Sequence, residues 1–238
     1  MKRNLLLTGG PAHDFEVTSH SLTSLFDEVG MVTTVVDEPG AALALLRSVE
    51  AGDAERFDLL TVNGLHWSMD AERYAHLRDE HSYTLEPNDA TVLERFVETG
   101  GGLLALHTAV ISFDAEPTWR GLCGAAWNWD RSFHAPPEHT AVTVTPAGHH
   151  HIVTEGLDDF SVFDEIYESL DVSPSIIPLL SSRRGNRDRP LLWARELGTG
   201  RVVTDLLGHG LESIMQPTHR SILQRSANWA STDPSSDS

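Results

Sequence analysis

Gly100-Gly101-Gly102-Leu103-Leu104-Ala105-Leu106-His107 is the stretch that decides the fold of this chain. Three glycines stop the element before them, an uninterrupted apolar run follows, and a histidine stands where the run ends. Such a run reads as a strand covered on both faces, the kind found in parallel sheets. The preceding segment agrees: Asn88 or Asp89 caps a helix through Val92, Leu93, Phe96 and Val97, which the glycines terminate.

The same alternation runs back to the start. Residues 3–8 form a short apolar strand ended by Gly9-Gly10-Pro11. Leu22, Leu25, Phe26 and Val29 mark an amphipathic helix capped at Thr18 or Ser19 and stopped at Gly30. Met31–Val36 is β-branched and reads as a second strand, Ala41–Val49 as a second helix and Phe57–Asn63 as a third strand. Alternating strands and helices mean βαβ units, hence a mostly parallel sheet with helices on both sides.

Beyond residue 140 the pattern becomes β-rich. Ala141–Thr145, Ser161–Leu170 and Ile176–Ser181 read as strands, and Leu191–Glu196 and Arg201–Leu207 flank the hairpin signal Leu197-Gly198-Thr199-Gly200. A last helix starts near Pro217 and buries Ile222, Leu223 and Trp229. No internal repeat or Pro/Ser-rich linker divides the chain. One domain over 1–230, followed by a disordered polar tail over 231–238, is the expectation.

The 238 residues carry 17 basic and 35 acidic side chains, a formal charge of −18. That charge argues against nucleic acid, whose binding rests on Lys and Arg, and against an anionic membrane surface. No apolar run reaches membrane-spanning length. The opening Met1-Lys2-Arg3-Asn4-Leu5-Leu6-Leu7 imitates a secretory signal, but Thr8-Gly9-Gly10-Pro11 ends it too early. With one cysteine, Cys123, no internal disulfide forms. The expectation is a cytoplasmic protein.

The chain holds 13 histidines, and their positions matter more than their number. In an open parallel sheet, ligands bind beyond the carboxyl ends of the strands. His13 follows the first strand, His66 the third, His107 the fourth and His209 the Val202–Leu207 strand. Imidazoles delivered to one edge can perform acid–base chemistry or hold a transition metal. His20, His76, His81, His139 and His219 read as solvated.

Gly100–Ala109 resembles the GGG-hydrophobic-LHAA signature of the ThuA-like (trehalose-utilisation) proteins. Further motifs follow in that family's order: Trp119 with Leu122-x-Gly124, Phe133-His134, His150-x-Ile152 with Gly156-Leu157-x-x-Phe160, Asp164-Glu165-x-Tyr167, Pro190-x-x-Trp193, Gly198-x-Gly200-Arg201-Val202, Gly208-His209 and Trp229-Ala230. The likeness spans roughly residues 5–230. It departs at His150-His151-Ile152-Val153, where the family usually carries His-Pro-Ile-Thr, so no role is assigned to the His149–His151 run. The resemblance implies a class I glutamine amidotransferase-like fold, a flavodoxin-like αβα sandwich. Amidotransferases carry a nucleophilic cysteine where this chain has His107, which implies that thioester chemistry is lost. Cys123 follows a polar segment and reads as a small core or helix-end residue.

The resemblance also implies carbohydrate catabolism, with 3-keto derivatives of disaccharides as substrates and isomerisation or elimination as the reaction. The expected catalytic residues are His107 as electrophile or ligand, His209 as base or ligand, and Glu165 as their partner. His13, His66, Trp119, His134 and Tyr167 are the expected substrate contacts. Asp164 and Glu165 point to opposite faces of a strand, and the family pattern puts Glu165 in the cleft. His107, His209 and Glu165 then form either a His/His/Glu set for a divalent transition metal such as zinc or an acid–base group. Trp67, Trp119, Trp127 and Trp129 offer indoles on which a sugar ring can stack. Arg183, Arg184, Arg187 and Arg189 read as a solvated hairpin tip. Without a G-x-G-x-x-G or Walker pattern, no nucleotide cofactor is expected. The expected partner is a small-molecule sugar, with self-association left open. A second reading is a carbohydrate-binding or regulatory module without chemistry, in which aromatic stacking alone holds the sugar.

Overall fold

The computed structural model describes residues 1–232; residues 233–238, the greater part of the expected tail, lie outside the described residues. The first half runs β1 (Lys2–Gly9), α1 (Phe15–Asp27), β2 (Met31–Val36), α2 (Pro39–Glu50), β3 (Leu59–Gly64), α3 (Ala75–His81), α4 (Pro87–Glu98) and β4 (Gly102–Leu106). It continues with α5 (Pro117–Cys123), β5 (Ala125–Ala126), β6 (Phe133–His134), β7 (Glu138–Val144), β8 (Phe160–Asp164), β9 (Tyr167–Glu168) and β10 (Asp171–Val172). The end comprises β11 (Pro178–Arg184), β12 (Arg187–Leu197), β13 (Gly200–Asp205), α6 (Leu211–Ile214) and α7 (Pro217–Ala230).

Nine strands form one sheet in the order β2-β1-β3-β4-β13-β12-β11-β7-β8. The first five are parallel, in the 2-1-3-4-5 arrangement of flavodoxin-like folds. The remainder is antiparallel: the expected β12–β13 hairpin, extended by β11, β7 and β8. Alternate residues of the central strands feed two cores. Leu103, Ala105 and Val202 pack with α2, α4 and α5, while Leu104, Leu106 and Val203 pack with α1, α6 and α7. The three-layer αβα sandwich follows from that alternation. Each fully buried Leu contributes about 2 kcal/mol of transfer free energy, which is why apolar residues dominate β4.

Several boundaries differ from expectation for physical reasons. The cap of α1 is Asp14, whose carboxylate accepts from Val17 N; Thr18 and Ser19 lie within the helix and are buried. Ser19 Oγ instead meets Thr8 Oγ1 at 2.6 Å. Helix α4 begins at Pro87, so Asn88 and Asp89 sit in its first turn and do not cap it. Helix α3 buries no residue and therefore has no apolar periodicity to betray it. The expected strand over 161–170 breaks at Glu165-Ile166, and its second piece, β9, pairs with β6 in a separate ribbon. His219, expected in solvent, is completely buried.

Among the described residues, no helix is long and apolar enough to cross a membrane.

Candidate functional site

The register of the central strands builds the site. Leu106 of β4 pairs with Asp205 of β13, so His107 and Leu206 leave the sheet side by side. His107 Nδ1 lies 2.9 Å from the Leu206 carbonyl. A carbonyl only accepts, so Nδ1 donates to it and Nε2 is the nitrogen left to face the cleft. The ring is 2% exposed, and Nε2 has no hydrogen-bond partner. The backbone of His107 has φ +43°, a left-handed conformation unusual for a residue with a side chain.

His13 reaches the same place from β1. The connecting loop turns through positive φ at Gly9, Gly10 and Ala12, the last at +74°. A side chain on Gly10 would place its Cβ 2.2 Å from Leu65 O, so glycine is required there. Both ring nitrogens of His13 are buried without a partner. Its ring lies 5.3 Å from that of His107 and 4.8 Å from that of His209. Burial, reinforced by the neighbouring His107 and His209, drives its pKa down to about 3, so His13 is neutral.

Glu165 enters where β8 breaks and is 6% exposed. One oxygen, Oε2, lies 3.8 Å from His107 Nε2 and 3.1 Å from His209 Nδ1; the other, Oε1, lies 3.2 Å from His134 Nδ1. The His209 contact is close but not aligned as a hydrogen bond. Burial opposes ionisation of Glu165, but the approach of His107 and His209 and the charges of His209 and His134 overcome it. The carboxyl is held well below the usual carboxylate range. Reciprocally, the Glu165 carboxylate raises the pKa of His209 against its partial burial.

Ligand atoms of His13, His107, Glu165 and His209 all lie within 4.8 Å of one another. Around this knot stand two further expected residues. Tyr167 is buried and stacks on His107, with ring centroids 4.7 Å apart. His134, paired with Tyr167 across the β6–β9 ribbon, sits at the mouth with 41% of its side chain exposed. A groove of about 760 Å³ opens beside His13, lined by Thr8, Gly10, Asp14, Phe15 and Asp37 among others.

Two expected contacts are elsewhere. His66 turns into the core, where its Nε2 donates to Thr8 O at 2.8 Å and its ring stacks on Phe113. Burial lowers its pKa. Trp119 is 1% exposed within α5 and donates to Ala109 O, so its indole packs the core and offers no face to a sugar. Cys123 is buried at the end of α5, and burial pushes its thiol far above the ordinary range. Arg184 and Arg189 pair with Glu168, so the arginine hairpin is more structured than a solvated tip. His149 and His150 are exposed, while His151 is half-buried against Trp229.

Sequence reasoning missed Asp164, Asp205, Ser213 and His219, which are fully or almost fully buried behind the cluster. The unusual pairing Asp164-Glu165 was the only available signal for the first.

A family model described as trehalose utilisation (ThuA) matches residues 53–230. A ThuA-like protein from Parabacteroides merdae ATCC 43184 superposes with a TM-score of 0.71 at 17% identity, covering 97% of this chain and 90% of its own. One from Bacteroides uniformis ATCC 8492 gives 0.71 at 17% identity, with 98% and 93% covered. The β-galactosidase from Bacillus circulans sp. alkalophilus gives 0.56 at 11% identity; 98% of this chain matches 31% of that enzyme. No curated protein sequence matches the chain.

Proposed function

We propose that this chain, which belongs to the ThuA family, is a carbohydrate-processing enzyme. In this reading it removes a proton next to the ketone of a 3-keto-disaccharide or related glycoside, at a centre holding a divalent transition metal. The observation that carries this reading is a set of buried ring nitrogens without partners. His107 Nε2, both nitrogens of His13 and His209 Nδ1 lack hydrogen-bond partners and gather about the Glu165 carboxylate. Buried polar nitrogens without partners are costly, and a cation would take one nitrogen from each of the three rings together with the carboxylate. Three imidazoles and one carboxylate suit zinc or a similar first-row ion. The Leu206 carbonyl behind His107 is the second partner that metal-binding histidines generally have.

His13, His107, His209 and Glu165 would hold the ion, and when bound it would supply Lewis-acid stabilisation to a ketone oxygen as that oxygen gains charge. The remaining chemistry falls to the protein. His134 is the half-exposed imidazole at the mouth, joined to Glu165 Oε1, and it is suited to move the proton. Removing the hydrogen from C2 of a 3-keto sugar sends that bonding pair into a C1–C2 or C2–C3 double bond. Reprotonation elsewhere isomerises the sugar. Collapse toward C1 breaks the glycosidic bond, and the leaving oxygen takes a proton from His134. The groove beside His13 has room for a second ring, and Asp14, Glu16 and Asp37 along it accept from hydroxyls while repelling anionic sugars.

The test is hydrogen exchange. Incubated with 3-keto-trehalose in deuterated water, the metal-loaded enzyme should label the carbon next to the ketone, and the His107→Ala/His209→Ala double variant should not. Equal labelling by both proteins would overturn the reading.

A further inference from the structure

Behind the cluster lies a buried polar chain that none of the proposed chemistry uses. Asp164 has no exposed surface, yet four donors converge on its carboxylate. Oδ1 accepts from Glu165 N at 2.7 Å and from His209 N at 3.2 Å. Oδ2 accepts from Gly208 N at 2.7 Å and from Ser213 Oγ at 2.5 Å. The same carboxylate therefore grips the backbone of two cluster residues, Glu165 and His209, that are far apart in the chain. Further back, Ser213 meets His219. His219 Nδ1 lies 2.8 Å from Ser213 O, and its Nε2 lies 3.1 Å from Asp205 Oδ2. Burial opposes charge on His219, but Asp205 outweighs it and raises the pKa; both ring nitrogens then donate, and both partners are acceptors. Asp205 Oδ1 closes the chain by accepting from Leu207 N at 3.0 Å.

Ser213, His219 and Asp205 have the composition of a hydrolytic triad but not its use. All three are at most 1% exposed, and the serine hydroxyl gives its proton to Asp164, so no nucleophile faces a substrate.

We propose that Asp164 is the positioning residue of the cluster, with Ser213, His219 and Asp205 as its support. It clamps the Gly208-His209 turn to the Glu165 strand end, so that His209 Nδ1 and Glu165 Oε2 are held together before any ligand arrives. The geometry is economical because every backbone N–H of the turn named here ends on a buried carboxylate: Leu207 on Asp205, Gly208 and His209 on Asp164. Without those acceptors the turn carrying His209 has no fixed direction. Outer partners of this kind typically change metal affinity by about 10–100-fold when removed.

One of the two readouts rests on the metal reading above; the other does not. Asp164→Asn keeps the size but replaces one acceptor oxygen with an amide that faces donors; Ser213→Ala removes one link and leaves the backbone contacts. In cobalt-loaded protein, Asp164→Asn should bind about 10–100-fold more weakly than wild type, with an altered ligand-field spectrum, and Ser213→Ala should shift both in the same direction by less. In metal-free protein, imidazole nitrogen NMR should show the His209 resonances displaced or broadened in both variants while those of His66, held in the core by Thr8 O, stay in place. Folded variants with unchanged His209 resonances would overturn the proposal. If wild type binds no cobalt, the metal reading fails alone and the NMR comparison still decides this one. If Asp164→Asn does not fold, Ser213→Ala carries the same test.

Discussion

His107 and Leu206 are joined by a hydrogen bond of 2.9 Å from the imidazole Nδ1 to the backbone carbonyl. That bond decides which nitrogen looks into the cleft. It commits Nδ1 to the backbone, so Nε2 alone is left to meet a ligand or substrate. Of the two expected roles, an electrophile would use a proton on that nitrogen and a ligand its lone pair, and metal content separates them.

Metal content is the first consequence. Protein purified without chelators should contain close to one divalent transition metal per chain by elemental analysis. His107→Ala and Glu165→Gln should each lower that stoichiometry sharply while leaving the fold measurable by circular dichroism. Full occupancy in both variants would place the ion elsewhere.

Acid should destabilise the metal-free protein through His13. Its folded pKa is about 3 against the ordinary histidine value of 6.5, so between those values the unfolded chain holds a proton that the folded chain refuses. Stability is complete above pH 6.5 and falls as the pH drops toward 3, by about 1 kcal/mol per pH unit. His66, also lowered, acts in the same sense. His219 acts oppositely: its raised pKa gives stability present below pH 6.5 that is lost as the pH climbs through the folded value. Melting temperature against pH in chelator-treated protein should show a shallower acid limb in His13→Gln than in wild type.

Trp119 separates structural from ligand-binding indoles. Trp119→Phe deletes the donor to Ala109 O inside the core, leaving a buried acceptor unsatisfied at about 1–3 kcal/mol. Chemical denaturation should show that loss, while the KM of the folded variant in the reaction proposed above stays at the wild-type value. A raised KM with unchanged stability would restore Trp119 to the binding surface.

Cys123 should be inert. Burial and a thiol pKa pushed far upward leave no thiolate at neutral pH. Iodoacetamide should modify the denatured chain and spare the native one, without effect on turnover. Rapid native alkylation with loss of activity would make this residue a nucleophile.

What the sequence disclosed and what it hid divide along a physical line. Strand β4 and His107 were legible because an apolar run between glycines and a polar terminus is a local pattern. Glu165 was legible through its motif, and His13 through its place after β1. His219 was not: in the first turn of a helix that starts at Pro217, it looks solvated, and only Asp205 and Ser213 explain its burial. Asp164 is hidden for the same reason, since Gly208, His209 and Ser213 are 44–49 residues away. Trp119 fails in the other direction. Its side chain suits a sugar, but the packing of α5 decides what it touches.

The two-residue pairing of β6 with β9 stands apart from the nine-stranded sheet, and it holds His134 in front of residues rooted in the main sheet's loops. Doorway and foundation are thus separate pieces of masonry. Alterations to the outward side of His134 can reshape the entrance, while the backbone that carries His107 and His209 belongs to the main sheet.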